Sequence, residues 1–173
     1  MTIKTLSCNL EATSCEILIE DLADCRMFAE QVAAHIKAHI SLPIAIALSG
    51  TLGAGKTQWS RFFAIALGAH PETVSSPTFM LVHEYESRPR IFHLDAYRIG
   101  DEDEMLELGI EEMFDAEAVT IVEWADRFPT LMPRQTLRIH FEVGESESFR
   151  RVQLHASGER SRTLLSKLIA LWE

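Results

Sequence analysis

The sequence Gly50-Thr51-Leu52-Gly53-Ala54-Gly55-Lys56-Thr57 has the pattern G-x-x-x-x-G-K-T. This pattern is typical of loops that bind the phosphates of a nucleoside triphosphate. The glycines allow the backbone to curl, so that several N–H groups converge on the β-phosphate. Lys56 supplies a positive charge for the β- and γ-phosphates, and the hydroxyl of Thr57 is placed to bind Mg²⁺. The motif therefore predicts a nucleotide site at residues 50–57.

The sequence on either side of the loop predicts the strand and the helix that the motif requires. Residues 43–48 form a short apolar run, which is typical of a strand buried on both faces. Residues 57–67 carry apolar side chains at helical spacing and are followed by Gly68. A helix that starts at the loop places its positive N-terminus against the phosphates. A flexible glycine loop with a surface lysine, the alternative interpretation, does not require this context.

Composition indicates an ordinary globular protein. The chain has 173 residues, 47% hydrophobic and 24% charged, and we expect one P-loop domain over residues 1–173. The formal net charge of −10 argues against tight, non-specific binding to nucleic acid, which needs a basic surface. RNA as the final target of a larger assembly remains compatible with this charge.

Cysteine usage and hydropathy indicate a cytoplasmic protein. Cys8, Cys15 and Cys25 form no C-x-x-C pair, so we expect reduced thiols. No apolar run approaches the length needed to span a bilayer, and residues 1–20 lack a signal-peptide pattern. No association with a membrane is expected.

Two predicted strands end in an acid. Residues 90–95 end at Asp95, and residues 119–123 end at Glu123. An acid at the end of an apolar strand can hold Mg²⁺ or its water in P-loop proteins. We expect the two acids to meet at one sheet edge, one serving the metal and the other the attacking water. The alternative for each acid is that it caps the following turn.

The remaining pattern predicts a mixed sheet. Residues 16–20 are a plausible first strand, and Asp21 can cap a helix that runs to about residue 39. Residues 80–85 pair with 90–95 as a hairpin, residues 135–143 pair with 150–156 as another, and a helix covers 159–172. Alternation points Arg150 and Arg151 to opposite faces, so one is expected to reach a phosphate and the other to be solvated.

The hydroxyl-rich segment at residues 74–79 follows the P-loop helix directly. Pro77 excludes a helix there. In nucleotide switches a loop at this point often senses the γ-phosphate through hydroxyl and backbone groups. An ordinary Ser/Thr turn explains the same residues equally well.

Several classes of P-loop protein can be compared with the chain. A GTPase needs N-K-x-D, but the single asparagine is Asn9, and the transporter signature L-S-G-G-Q is also absent. A small-molecule kinase usually closes an arginine-rich lid, whereas the second half here has one pair of adjacent arginines. The kinase is therefore disfavoured. A nucleotide-gated binding module with incidental turnover remains as an alternative to an ATPase.

An ordered set of motifs resembles the TsaE (formerly YjeE) family. The set comprises the P-loop, S-P-T-F at 76–79 with Leu81-Val82 and Tyr85, H-x-D-x-Y-R at 93–98, Leu108-Gly109 with Glu111-Glu112, and V-E-W at 122–124. The P-loop alone is generic, but the set in this order is specific to the family. Two departures are Thr51, where the family usually has an acid, and Gln58, where it often has a second threonine.

The resemblance implies a three-layer α/β/α P-loop fold whose sheet has a parallel core flanked by antiparallel strands. It implies a weak, Mg²⁺-dependent ATPase that acts with TsaB and TsaD to make threonylcarbamoyladenosine beside the tRNA anticodon, meeting tRNA through the complex. Trp124 and the loop at 76–79 are expected at the nucleotide or partner face.

The resemblance also assigns roles to individual residues. Thr57 and Glu123 are expected to bind Mg²⁺, and Asp95 to be required for hydrolysis. Together with Lys56, these two acids form the predicted catalytic set. Asp21 is expected near the adenine. The full set of predicted nucleotide-binding residues is Asp21, Thr51, Leu52, Gly53, Ala54, Gly55, Lys56, Thr57, Gln58 and Arg150.

Overall fold

A computed structural model describes residues 3–9, 13–74, 80–144, 146 and 148–173. Within these residues the strands are β1 (Lys4–Asn9), β2 (Ser14–Ile19), β3 (Ile44–Gly50), β4 (Val82–Tyr85), β5 (Arg90–Asp95), β6 (Ala118–Glu123), β7 (Thr136–Val143) and β8 (Arg150–Ser157). The helices are α1 (Leu22–His39), α2 (Lys56–Leu67), α3 (Glu102–Glu107), α4 (Ile110–Asp115) and α5 (Glu159–Trp172).

The eight strands form one mixed sheet in the order β1-β2-β8-β7-β3-β6-β5-β4. Strands β7, β3, β6 and β5 are parallel to their neighbours in this group. The pairs β1–β2, β2–β8, β7–β8 and β4–β5 are antiparallel. The predicted fold class, a parallel core flanked by antiparallel strands, is therefore confirmed.

Helices cover both faces of the sheet. One hydrophobic cluster joins alternate residues of the central strands to α1, α2 and α5, and the other joins the intervening residues to α3 and α4. In β3, Ile46 and Leu48 belong to the first cluster, while Ala45 and Ala47 belong to the second. Strands buried on both faces read as continuous apolar runs, which is why residues 43–48 were recognisable in the sequence. The result is a three-layer α/β/α arrangement.

The helix boundaries follow from local chemistry. The carboxylate of Asp21 accepts a hydrogen bond from the amide of Asp24 at 2.9 Å and caps α1, as the sequence predicts. Helix α2 ends at Gly68, which adopts a left-handed conformation with φ 113°. Both predicted hairpins are present, and α5 spans the predicted residues.

The N-terminal hairpin departs from the sequence prediction. Strand β1 was not predicted, and it pairs with β2 so that Cys8 lies opposite Cys15. These two cysteines form a disulfide, so the expectation of three reduced thiols is wrong for them. Cys25 is the free cysteine and is buried in α1. Cysteines seven residues apart give no pairing signal until the hairpin register brings them together.

Among the described residues, no helix combines the length and the apolar character needed for a membrane span.

Candidate nucleotide-binding site

The glycine loop lies where the central strand β3 ends and α2 begins. Gly50 has φ 129°, and a Cβ there would lie 2.3 Å from the carbonyl oxygen of Phe141 in β7. Gly55, which directly precedes α2, has φ 111°. Residues other than glycine rarely adopt a backbone conformation with such a positive φ, so the loop needs glycine at both positions. The strand–loop–helix context predicted for residues 50–57 is confirmed.

The N-terminus of α2 is open to an anion. Among the described residues no side chain forms a capping hydrogen bond at this end, and the first turn of α2 has no acidic residue. The backbone amides and the helix dipole therefore give this end a partial positive charge. Such an end stabilises a bound phosphate.

Lys56 lies folded onto the loop. Its Nζ donates hydrogen bonds to the carbonyl oxygens of Gly50 and Thr51 at 2.7 and 2.9 Å. The same nitrogen lies 3.7 Å from the ring centroid of Trp124, a cation–π contact. Burial lowers the pKa of the Lys56 ammonium more than the attraction of nearby carboxylates, led by Glu123, raises it. A phosphate arriving at the loop would therefore stabilise the charged form.

Glu123 is one of two buried acids of the site. Its Oε2 accepts a hydrogen bond from the hydroxyl of Thr57 at 2.7 Å, and its Oε1 lies 2.8 Å from Nε2 of His93. Burial raises the pKa of the Glu123 carboxyl. The hydrogen bond and charge of His93, together with the hydroxyl groups of Thr57 and Ser60, lower this pKa by more than burial raises it. The net shift is downward, so Glu123 is an ionised carboxylate at neutral pH.

Asp95 lies beside Glu123, as the sequence predicts. The two acids are register partners at the ends of the parallel strands β5 and β6. Asp95 is 4% exposed, and its carboxylate accepts a hydrogen bond from the amide of Tyr97 at 3.0 Å. It therefore also caps the 3₁₀ turn at residues 96–98, the alternative considered from the sequence. Glu123, in contrast, contacts the side chains of Thr57 in α2 and His93 in β5.

The residues present fit a magnesium ion. A hydroxyl and an ionised carboxylate, 2.7 Å apart, offer the hard oxygen ligands that Mg²⁺ prefers. Among the described residues no group of three His, Cys, Asp or Glu side chains converges as a metal cage. In nucleotide sites Mg²⁺ is usually bound by one or two protein oxygens together with phosphates and waters.

A cavity of about 300 Å³ opens beside the loop. Its lining includes Asp21, Cys25 and Arg150. It also includes four predicted nucleotide-binding positions of the loop and α2, which are Gly53, Ala54, Gly55 and Gln58. The cavity is bordered by β2, the start of α1 and the start of α2. The structure thus brings Asp21 and Gln58 to one opening, although they are distant in sequence.

Arg150 reaches the loop from β8. Its Nε donates to the carbonyl of Ala54 at 2.9 Å, and its Nη2 lies 3.3 Å from the carbonyl oxygen of Gly53. Arg151, the next residue, has an exposed side chain that forms an ion pair with Glu16 at 3.3 Å. The alternation predicted for the two arginines is confirmed, whereas contact between Arg150 and a phosphate stays a prediction.

Other predicted residues lie at the rim of the site. Thr51, Leu52 and Gly53 are exposed, and the exposed fraction of Leu52 is 76%. Trp124 directly follows Glu123 with φ 60°, a conformation uncommon for a bulky residue and often found at functional sites. The segment at 76–79 lies outside the described residues, so its two interpretations both remain predictions.

Sequence reasoning assigned no role to three polar residues around Glu123. His93 and Ser60 are 1% and 0% exposed, and Tyr85, which contacts His93, is 3% exposed. His93 occurs within the H-x-D-x-Y-R motif, and strand alternation puts it on the same face as Asp95. The two-residue spacing between His93 and Asp95 was therefore the sequence signal that could have placed His93 near the site. Its contact with Glu123 depends on the register between two strands.

Cys25 provides a test of the chemistry of this cavity. Burial raises the pKa of its thiol from 9.0 to about 12. The folded pKa lies above the unfolded value, so this contribution to stability is complete below pH 9 and is lost as the pH rises towards 12. Because the thiolate is the reactive form, alkylation by iodoacetamide at pH 8 should be roughly 10³-fold slower in the folded than in the urea-unfolded protein.

The measurement uses non-reducing conditions, in which Cys8 and Cys15 stay joined. Cys25→Ser should take up no label, which verifies the assignment. Labelling of the folded protein within tenfold of the unfolded rate would contradict the burial of this thiol.

The fold and the loop together define a class. A glycine loop between a central parallel strand and a helix, with a lysine and a threonine at the start of that helix, is the P-loop arrangement of nucleotide-binding proteins. Comparison with known proteins identifies the family within this class. The family model "Threonylcarbamoyl adenosine biosynthesis protein TsaE" matches residues 19–152, and the chain belongs to the TsaE family.

Curated relatives agree with this family. The tRNA threonylcarbamoyladenosine biosynthesis protein TsaE of Bacillus subtilis is 37% identical over 125 residues, which cover 71% of this chain and 76% of the relative. The protein of the same name from Aquifex aeolicus is 38% identical over 114 residues, 65% of this chain and 77% of the relative. The family takes part in the biosynthesis of tRNA threonylcarbamoyladenosine.

A solved structure agrees with the fold. The crystal structure of YdiB from Bacillus subtilis superposes with a TM-score of 0.72, covering 98% of this chain and 97% of that one. The two sequences are 24% identical, so the likeness concerns the fold.

Proposed function

We propose that the chain is an Mg²⁺-dependent ATPase that acts with TsaB and TsaD in forming threonylcarbamoyladenosine on tRNA. One observation carries this proposal: the Thr57 hydroxyl at the loop donates to the ionised Glu123 at 2.7 Å, beside Lys56. This arrangement supplies a cation for the phosphates and oxygen ligands for their metal within one small volume.

Adenine is the base that suits the cavity beside the loop. Asp21 lines this cavity, and a carboxylate accepts hydrogen bonds but cannot donate them. The amino group at C6 of adenine can donate to such an oxygen. Guanine also carries N–H donors, so the choice between the two bases depends on the sequence. The lack of N-K-x-D in the sequence supports adenine.

The residues of the site divide the work of hydrolysis. With a nucleotide bound, Lys56 would leave the carbonyls of Gly50 and Thr51 to pair with the phosphate oxygens, and Thr57 and Glu123 would hold a magnesium ion. Such an ion would supply positive charge against the charge that develops on the phosphates. Asp95 orients the attacking water and accepts its proton, since the carboxylate lies at the same sheet edge as Glu123.

The wider assignments of the proposal rest on the family. We assign residues 1–173 to one ATPase domain, and we place its work in the cytoplasm with the tRNA that it helps to modify. In this role TsaD carries the transfer chemistry, and ATP turnover by this chain sustains the complex. Its contact with tRNA is indirect, which agrees with the net charge of −10.

Replacing Asp95 tests the division of roles. Asp95→Asn keeps an oxygen that can cap the 3₁₀ turn but removes the base, so ATP hydrolysis should fall about 100-fold. ATP affinity, measured by calorimetry, should change much less. Asp101→Asn is a matched control, because Asp101 caps α3 in the same way through the amide of Glu104. Equal losses of binding and hydrolysis in Asp95→Asn would instead make Asp95 structural or metal-holding.

Reconstitution with TsaB and TsaD tests the proposed function itself. Modified tRNA should accumulate over many rounds with the unaltered chain and ATP, while Asp95→Asn should stop after about one round. Continued modification with the hydrolysis-deficient variant would favour the nucleotide-gated module instead. Labelled γ-phosphate should appear as inorganic phosphate, and its appearance on a small metabolite would establish a kinase.

A further inference from the structure

A line of hydrogen bonds crosses three strands and ends at the loop. The hydroxyl of Tyr85 lies 3.2 Å from Nδ1 of His93, and Nε2 of His93 lies 2.8 Å from Oε1 of Glu123. The other carboxylate oxygen, Oε2, accepts from Thr57. Tyr85, His93 and Glu123 are each at most 3% exposed. Buried polar side chains are thus joined into one line that reaches the proposed metal ligand.

The strand register creates this line. Tyr85 is on β4, which pairs antiparallel with β5, and β5 pairs in parallel with β6. His93 lies two residues before Asp95, so it faces the same side of the sheet as that acid. Asp95 is the register partner of Glu123 on the neighbouring strand. His93 therefore lies two residues before the level of Glu123 and contacts its carboxylate from that side.

Each oxygen of Glu123 has its own partner. An ionised carboxylate is costly to bury unless its oxygens are hydrogen-bonded. Here His93 contacts Oε1 and Thr57 donates to Oε2, so these two contacts, with Ser60 nearby, orient the plane of the carboxylate. Without His93 the carboxylate would lose one contact and could rotate to seek another donor. The contact of Tyr85 with Nδ1 holds the imidazole from its opposite side.

We propose that His93, held by Tyr85, is a positioning residue that orients Glu123 so that Oε2 faces Thr57 and the magnesium ion. This proposal rests on the nucleotide site described under "Proposed function". It assigns His93 no contact with the nucleotide or the metal. Partners behind a metal ligand commonly affect metal affinity by about 10- to 100-fold.

Two substitutions of equal polarity separate positioning from packing. The amide nitrogen of glutamine in His93→Gln can occupy the place of Nε2 and donate to Glu123. In His93→Asn the shorter amide reaches only the place of Nδ1. Mn²⁺ binding to the chain with a non-hydrolysable ATP analogue, followed by electron paramagnetic resonance, should weaken about 10-fold or more for His93→Asn. His93→Gln should stay within a few-fold of the unaltered chain, and Tyr85→Phe should lie between them.

Metal-free binding of the analogue, measured in EDTA, should be equal in all of these variants, because Lys56 and the loop are unchanged. The control for replacing an imidazole is His155→Gln, because His155 is an exposed histidine on β8. Equal Mn²⁺ affinity in His93→Asn and the unaltered chain would overturn the positioning role. Equal losses in His93→Asn and His93→Gln would also overturn it, because the loss would then reflect packing. If the unaltered chain binds no Mn²⁺–nucleotide, it is the proposed nucleotide site that fails.

Discussion

Lys56→Ala should reduce ATP affinity by roughly 100-fold or more, because the phosphates lose their charged donor. Hydrogen bonds to charged groups contribute about 1.5–3 kcal/mol each, and Lys56 already directs its nitrogen at two carbonyl oxygens of the loop. With the nucleotide bound, phosphate oxygens would replace those carbonyls. Calorimetric titration with ATP and Mg²⁺ measures the effect directly.

Lys167→Ala is the matched control for this variant. Lys167 is exposed on α5, and its replacement removes the same charge from the chain. Its ATP affinity should not change. Thermal unfolding should show that both variants remain folded. Unchanged affinity in folded Lys56→Ala would refute the assignment of the loop.

Glu123→Gln should weaken Mg²⁺-dependent ATP binding by about 100-fold while leaving metal-free binding nearly unchanged. The substitution keeps the size of the side chain but removes the charge that attracts the metal. The acceptor for His93 and Thr57 also becomes weaker, so the protein should lose about 1–3 kcal/mol of stability. ATP titrations at several Mg²⁺ concentrations and urea unfolding measure these two effects. Glu117→Gln, an exposed acid just before β6, is the control.

The stability effect should depend on pH. The pKa of Glu123 is lowered from 4.5 in the folded protein, so its ionised form stabilises the fold at neutral pH. That contribution is present above pH 4.5 and is lost as the pH falls through the folded pKa. The difference in unfolding free energy between Glu123→Gln and the unaltered chain should therefore shrink in acid. A difference that stays constant down to pH 3 would contradict an ionised, hydrogen-bonded Glu123.

Local patterns were sufficient for most of the fold. The cap at Asp21, the stop at Gly68 and the apolar run of β3 are each determined by residues close together in sequence. The meeting of Asp95 and Glu123 was also predictable, because the carboxyl ends of neighbouring parallel strands share one edge of the sheet. These features follow from strand and helix periodicity alone.

Features that depend on register were not predictable. Strand β1 is exposed along most of its length, so it lacks the alternation that marks a half-buried strand. The pairing of Cys8 with Cys15 follows from that missed hairpin. The contact between His93 and Glu123 likewise needs β5 and β6 in one particular alignment, which no local pattern specifies.

The geometry of the site was likewise predictable only in part. The motif identified Lys56 and Thr57, but it did not show that Lys56 rests on the carbonyls of its own loop. The capping role of Asp95 was considered as an alternative to a catalytic one, and the structure shows that this residue caps a turn at the sheet edge. Whether it also handles the attacking water is decided by kinetics.

The central claim is that residues 50–57 enclose a triphosphate whose magnesium ion is held by Thr57 and Glu123. A crystal structure of the chain with Mg²⁺ and a non-hydrolysable ATP analogue tests it most directly. We expect the β-phosphate among the loop amides, Lys56 turned from its carbonyls to the phosphates, and the metal at the Thr57 hydroxyl with Glu123 bound to it or to its water. A nucleotide bound elsewhere, with the loop empty and Lys56 still on Gly50 and Thr51, would contradict the account.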